Sequence, residues 1–189
     1  MDFEDYKQII KKRMGKKRFI HSVNVSKEAV KLAEKYGADV EKAQIAGILH
    51  DITKETPPEE QLKIMSDNGI ILDNVQKSSQ KLWHAVSGSA YVKSVLGITD
   101  EDILNAIRYH TSGRANMSLL EKVIFIADFT GEERDYDGVE IMREKAYRNL
   151  EEAMAFGLAF TISDLAKRNL PIHNDALEAY NEIIIKNSN

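Results

Sequence analysis

Apolar residues recur at three- and four-residue spacing through almost the whole of this 189-residue chain, and no stretch sustains the alternation of a half-buried strand. That pattern predicts an all-α fold. Start and stop signals divide it into pieces. Thr56-Pro57-Pro58-Glu59 and Ser118-Leu119-Leu120-Glu121 read as capping boxes, and Thr99-Asp100-Glu101-Asp102 as a variant with Asp at the third position. Gly15, Gly37, Gly69, Gly97 and Gly113 fall where helices are expected to end. The expected helices cover 2–13, 17–36, 39–53, 57–67, 76–96, 100–112, 118–129, 139–169 with a break, and 174–186. With 43% hydrophobic residues the chain can fill one core, so a single domain over 1–189 is expected. The least regular segment, "DFTGEERDYDGVE" at 128–140, is a candidate functional loop, with an ordinary solvated connection as the alternative.

Titratable residues interrupt this apolar pattern at repeated places. In "AQIAGILHDITKETPPEE" a run of small and apolar residues ends in His50-Asp51, and "FIHSV" (His21), "LWHAV" (His84), "AIRYH" (His110) and "FIADF" (Asp128) repeat the motif. A buried imidazole or carboxylate without a partner costs several kcal/mol. One such histidine alone is best read as a core residue with its own hydrogen bond. Four of the five histidines and two aspartates, on different expected helices, point instead to one shared polar centre. A divalent metal is the simplest such centre. The chain has no cysteine, so thiolate sites and disulfides are excluded and the ligands must be nitrogen and oxygen.

Charge narrows the partners. Twenty-six Lys and Arg against 30 Asp and Glu leave a net charge of -4, which argues against nucleic-acid binding through bulk charge. The basic segment "KQIIKKRMGKKR" at 7–18 reads as a solvated helix face, with attraction of an anionic ligand as the other reading. No apolar signal core or membrane-length run occurs, so a cytoplasmic protein without a membrane partner is expected. Three cations stand at helical distance from the singled-out residues: Arg18 three before His21, Lys54 three after Asp51, and Arg114 four after His110. They are candidate phosphate donors, and the competing reading is ordinary surface charge. Thr111 could offer its hydroxyl to phosphate or simply end a helix.

The order His21, His50-Asp51, Asp128, with separations of 29, 1 and 77, resembles the signature of the HD-domain metal-dependent phosphohydrolases. The stretches "RFIHSVNVSKEAVKLA", "AGILHDITKE", "YHTSGRANMSLLEKVIFIADF" and "LPIHNDALEAYN" are similar to the YqeK-type branch, symmetrical diadenosine tetraphosphate hydrolases, over about residues 5–185. The chain departs from that branch at "FTGEER", where a proline-containing turn is usual, and at Asn174, often a proline. The resemblance implies an HD-type helical bundle with His21, His50, Asp51 and Asp128 as metal ligands. His84 and His110 would be ligands of a second metal or of substrate phosphate. It implies catalysis through Asp51, Lys54, His84 and His110. It implies substrate binding through Lys54, His84, His110 and Arg134, with the Pro171-Ile172-His173 loop beside the nucleotide base, and the spacing of Arg18, Thr111 and Arg114 adds them as candidate phosphate contacts. From the residues alone, His173 reads as a surface-turn histidine before a helix capped by Asn174. The implied cofactor is one or two divalent ions, iron first, with Mn, Co or Zn as alternatives. The implied partner is a small-molecule nucleotide, and the chain is compatible with a homodimer. Two divalent ions among four neutral histidines and two carboxylates leave a positive centre, and a single ion leaves a near-neutral one; either suits a phosphate better than a neutral group. An HD-type nucleotidase or alarmone phosphohydrolase is the runner-up, and a non-catalytic HD ligand sensor the reading from a different class.

Overall fold

The computed structural model describes residues 1–187; residues 188 and 189 of the expected domain lie outside the described residues. Helices α1 (Phe3–Arg13), α2 (Lys16–Tyr36), α3 (Val40–Leu49), α4 (Pro58–Asp67) and α5 (Asn74–Ser78) lead through a 3-10 turn at Gln80–Leu82 to the rest. These are α6 (Trp83–Ser94), α7 (Glu101–Tyr109), α8 (Leu119–Thr130), α9 (Val139–Arg148), α10 (Leu150–Lys167) and α11 (Asn174–Asn187). No strand occurs among the described residues, as the apolar spacing predicts. No described helix is long and apolar enough to cross a membrane.

Two helices are apolar on nearly every side and take the centre. α3 buries Ala43, Ala46, Gly47, Ile48 and Leu49, and α8 buries Leu120 and every residue from Val123 to Ala127. Each large aliphatic side chain so buried contributes about 1.5–3 kcal/mol relative to exposure. The close approach of α2 to α3 depends on Gly47, where a Cβ would fall 2.7 Å from the Ser26 Cα, and the Ser26 hydroxyl donates to the Gln44 carbonyl at 2.8 Å. α2 and α3 both pack on α8, α3 and α8 both pack on α7, and α7 packs on α6. These pairings bring one end of α3, α7 and α8 together with the second turn of α2.

Several expected boundaries shift for local reasons. The 39–53 and 100–112 helices stop at Leu49 and Tyr109. After Leu49 the chain turns through Ile52 N–H to Leu49 C=O, Lys54 to Asp51 and Thr56 to Thr53, at 2.8–3.1 Å. The 76–96 helix is three pieces, because Asp73 and Gln76 form a capping box for short α5 and Ser79 adopts an extended backbone before α6. The break expected within 139–169 is Asn149, which is extended and caps α10 by accepting from Glu151 and Glu152 N–H. Ser118 and Glu121 form their box. Thr56 does not: Pro57 is the N-cap of α4 and the Thr56 hydroxyl accepts from Arg13 at 3.2 Å. Asp100, one residue later than expected, caps α7. Gly37, Gly69, Gly97 and Gly113 are left-handed, whereas Gly15 has φ of -68° and starts α2 rather than ending α1.

Candidate metal centre

Three of the singled-out residues sit where helices end. His50 and His110 are the residues just beyond α3 and α7, and in each case Nδ1 donates to a carbonyl three residues back, Gly47 at 2.8 Å and Ile107 at 2.7 Å. The last carbonyls of a helix lack an intrahelical donor, so the imidazole supplies one. The consequence is chemical: Nδ1 keeps the proton and the Nε2 lone pair points away from the helix. Asp51 follows His50 directly. His84 is the second residue of α6, held by the Thr53 hydroxyl, which donates to the His84 carbonyl at 2.8 Å. His21 comes from the second turn of α2, and Asp128 from the last turn of α8.

The Nε2 atoms of all four histidines converge on the two aspartates. Those of His21 and His50 are 3.2 Å apart, and those of His84 and His110 are 3.1 Å apart. His21 Nε2 is 3.1 Å from Asp128 Oδ1 and 3.6 Å from Asp51 Oδ2, and His50 Nε2 is 3.4 Å from Asp51 Oδ2. His84 and His110 stand 3.2 Å and 3.7 Å from the other oxygen, Asp51 Oδ1. That buried oxygen accepts no hydrogen bond from any described residue. Three overlapping groups have ligand atoms close enough to hold an ion: His21, His50 and Asp51; His50, His110 and Asp128; and Asp51, His84 and His110. Neutral imidazoles, carboxylates and an orphaned buried carboxylate oxygen together fit a divalent metal, since an unsatisfied buried polar atom costs about 1–3 kcal/mol and an ion removes that cost.

Protonation follows the same layout. Burial pushes the His50 imidazole down and the His84 imidazole well down, which favours the neutral, lone-pair-bearing form of both. For Asp51 and Asp128 burial acts upward, but the His50 imidazole beside Asp51, and the His21 contact and Arg134 beside Asp128, hold both carboxyls well below the usual range. At His21 burial acts downward, and Asp128 and Glu133 outweigh it to raise the imidazole.

Around the converging residues lie three cations. Arg18 donates to Asp51 Oδ2 at 2.7 Å, Arg134 grips the Asp128 carboxylate and donates to its carbonyl at 2.6 Å, and Lys54 Nζ lies 3.1 Å from His84 Nε2 and 3.9 Å from Asp51 Oδ1. Burial lowers the pKa of Lys54, with Asp51 and Asp128 opposing. Thr111 joins them, its hydroxyl 3.0 Å from His110 Nε2 and 3.3 Å from His84 Nε2. A cleft of about 690 Å³ opens beside Lys54, His84 and Thr111 and continues past Pro57, Lys81 and Trp83.

Other expectations are corrected. Arg114 does not reach the cluster, because α7 has ended before it and its guanidinium makes a two-fold pair with the buried Glu121, 2.7 Å on both arms. His173 is buried rather than a surface-turn residue: Nε2 meets Asp73 Oδ2 at 2.7 Å and Nδ1 accepts from Asp175 N–H at 3.2 Å. It therefore does the capping expected of Asn174, which lies inside α11. His173 shares a narrow pocket with Thr111, while Ile172 packs against the core and Pro171 is exposed. In the basic segment Arg13 is fastened to Thr56 and over the Tyr91 ring, Arg18 enters the site, and Lys11, Lys12, Lys16 and Lys17 remain exposed. The sequence marks the loop at 128–140 but not the residue in it that reaches His21. Glu133, in the charged loop, meets His21 Nδ1 and accepts from Asn24 Nδ2 at 2.7 Å. Burial acts to raise its carboxyl, and these two contacts bring it down to about 2.

Residues 18–133 match the model of the HD domain family. The chain is 40% identical over 187 residues to the symmetrical bis(5'-nucleosyl)-tetraphosphatase of Bacillus subtilis, covering 97% of this chain and 98% of that protein. It is 39% identical over 179 residues to the protein of the same description from Halalkalibacterium halodurans, covering 95% of each. Among solved structures, it is similar to a Clostridium acetobutylicum crystal structure described as a predicted HD superfamily hydrolase involved in NAD metabolism. The TM-score is 0.95, with 37% identity and 98% of each chain covered.

Proposed function

The chain belongs to the HD domain family, and from that premise we propose that it hydrolyses diadenosine tetraphosphate symmetrically to two ADP. The substrate rests on the relatives of that description, which match nearly end to end. The chemistry rests on one observation: four imidazole Nε2 atoms and two carboxylates converge as three overlapping groups, each within ligand distance, flanked by three cations and a cleft.

In this reading His21, His50, Asp51 and Asp128 hold a divalent ion, and His84 and His110 face the substrate phosphate or a second ion. A bound ion lowers the pKa of water towards neutrality and polarises a phosphoryl oxygen. Lys54 places positive charge at the cleft edge of the cluster, where it meets phosphate oxygens, while Arg18 adds charge from the Asp51 Oδ2 side and Arg134 from the Asp128 side. Three cations against Asp51, Asp128 and Glu133 leave the protein part of the centre close to neutral, so the charge of the ion is available to the phosphate. Thr111 offers a hydroxyl at the same edge. The departing ADP carries its charge on phosphate oxygens, which Lys54 can stabilise without a proton donor. Iron is our choice of ion, with Mn, Co or Zn able to use the same donors. We take 1–189 to act as one cytoplasmic domain on a small nucleotide.

Product identification by chromatography tests this. ADP is expected as the nucleotide product. Equal ATP and AMP would overturn symmetrical cleavage, and turnover of deoxynucleoside monophosphates without action on the dinucleotide would select the nucleotidase.

A further inference from the structure

Segment 131–134, between α8 and α9, is held in one shape from α9. The Arg143 guanidinium donates to the carbonyls of Thr130, Gly131 and Arg134 at 3.3, 2.9 and 3.1 Å. So fixed, the loop sends two side chains of opposite sign back into the site, Arg134 to Asp128 and Glu133 to His21. Glu133 approaches the ring nitrogen on the far side from the converging Nε2 atoms. Its second oxygen is fastened to Asn24, three residues after His21 on α2.

The need for such a residue follows from where His21 sits. His50 and His110 are at helix ends, where a free carbonyl accepts Nδ1–H. His21 is inside a helix, where the carbonyls are already engaged in the i to i-4 ladder. A side-chain acceptor has to come from elsewhere. Gly131 makes the approach feasible: its φ of -45° is open to any residue, yet a Cβ there would lie 3.1 and 3.2 Å from the two Glu133 oxygens.

We propose that Glu133 is the positioning residue for His21, accepting its Nδ1–H so that the Nε2 lone pair is presented to the ion, and that Gly131 is the residue that makes room for it. This rests on the metal reading of His21. An outer-shell carboxylate of this kind orients the ring and raises its basicity, and its loss typically costs about 10- to 100-fold in metal affinity.

The test uses the full chain stripped of metal and titrated with Mn²⁺ by calorimetry, with no nucleotide present, so it does not depend on the substrate. Glu133→Ala is expected to weaken Mn²⁺ binding by about 10- to 100-fold. Glu133→Gln, which keeps an acceptor oxygen, is expected to recover most of that loss. Ring ¹⁵N shifts of the metal-free proteins are expected to show His21 protonated at Nδ1 in the wild type and the Gln variant, and a tautomer mixture in the Ala variant. Gly131→Ala is expected to weaken Mn²⁺ binding only while Glu133 is present, its effect vanishing in the Glu133→Ala background. Wild-type affinity in Glu133→Ala overturns the proposal, as does a Gln variant no better than Ala, or a Gly131→Ala effect that persists in that background. Failure of the wild type itself to bind Mn²⁺ would remove the metal reading beneath it, whatever the protein hydrolyses.

Discussion

The two oxygens of Asp51 divide the site into unlike halves. On the Oδ2 side each member is held by something behind it: Arg18 donates to Oδ2, His50 is fixed by the Gly47 carbonyl, His21 by Glu133, and Asp128 by Arg134. On the Oδ1 side the oxygen accepts no hydrogen bond from any described residue. His84 has Lys54 against both ring nitrogens instead of a fixed acceptor, and Thr111 and the cleft stand alongside. Ligands locked by outer contacts favour an ion that stays bound; on the Oδ1 side His110 is locked in that way by the Ile107 carbonyl, while His84 lies between Lys54 and the cleft. In the proposed function this asymmetry would separate holding an ion from handling phosphate, although both halves share one carboxylate and nearly the same residue types.

Breaking the shared residue should produce the largest effect. Asp51→Ala is expected to leave a folded helical protein while abolishing metal binding and lowering turnover by a thousandfold or more, on the scale of the several kcal/mol that a catalytic ion provides. At metal concentrations about a hundredfold above Kd the wild type should gain about 2.7 kcal/mol of stability, and the variant none. Metal analysis with thermal unfolding checks this, and full activity with unchanged metal content would sink the HD reading of the site.

A second experiment sharpens the contrast between halves. His21→Ala and Asp128→Asn are expected to lose tightly bound metal. His84→Ala and His110→Ala should keep at least one equivalent while turnover falls by about 10²- to 10³-fold, the usual cost of removing a preorganised electrostatic group. Equal metal loss in all four variants would show that the two halves form one indivisible centre. The smallest effect is expected at Lys54, whose head is partly open to the cleft. Lys54→Met should slow turnover by about 10- to 100-fold with metal content near wild type. A large loss of metal there would assign Lys54 to the holding half instead.

Legibility along the chain followed the helices. His50 and His110 stood out because each ends an apolar run, and helix ends are where buried polar groups find free carbonyls. Lys54 reached its place although helix α3 had stopped, since the turn that replaces it still bonds Lys54 N–H to the Asp51 carbonyl. The same spacing argument failed at Arg114. There α7 had already ended, Gly113 reversed the chain, and the guanidinium found a buried carboxylate seven residues ahead. Glu133 illustrates the other limit. The loop was marked by its charge, but outside a helix no period says which of Glu132 and Glu133 turns inward.

Apolar spacing, together with the residues that interrupt it, determined by itself that this protein is helical and that four histidines and two aspartates belong to one polar centre, because burial is costly for each of them alone. Tertiary structure decided which nitrogen each imidazole offers, which oxygen of Asp51 stays unpaired, and that Glu133 rather than Arg114 joins the site. Those outcomes depend on carbonyls freed at helix ends and on where a loop closes over Gly131, and such distances are set only when helices far apart in the chain pack together.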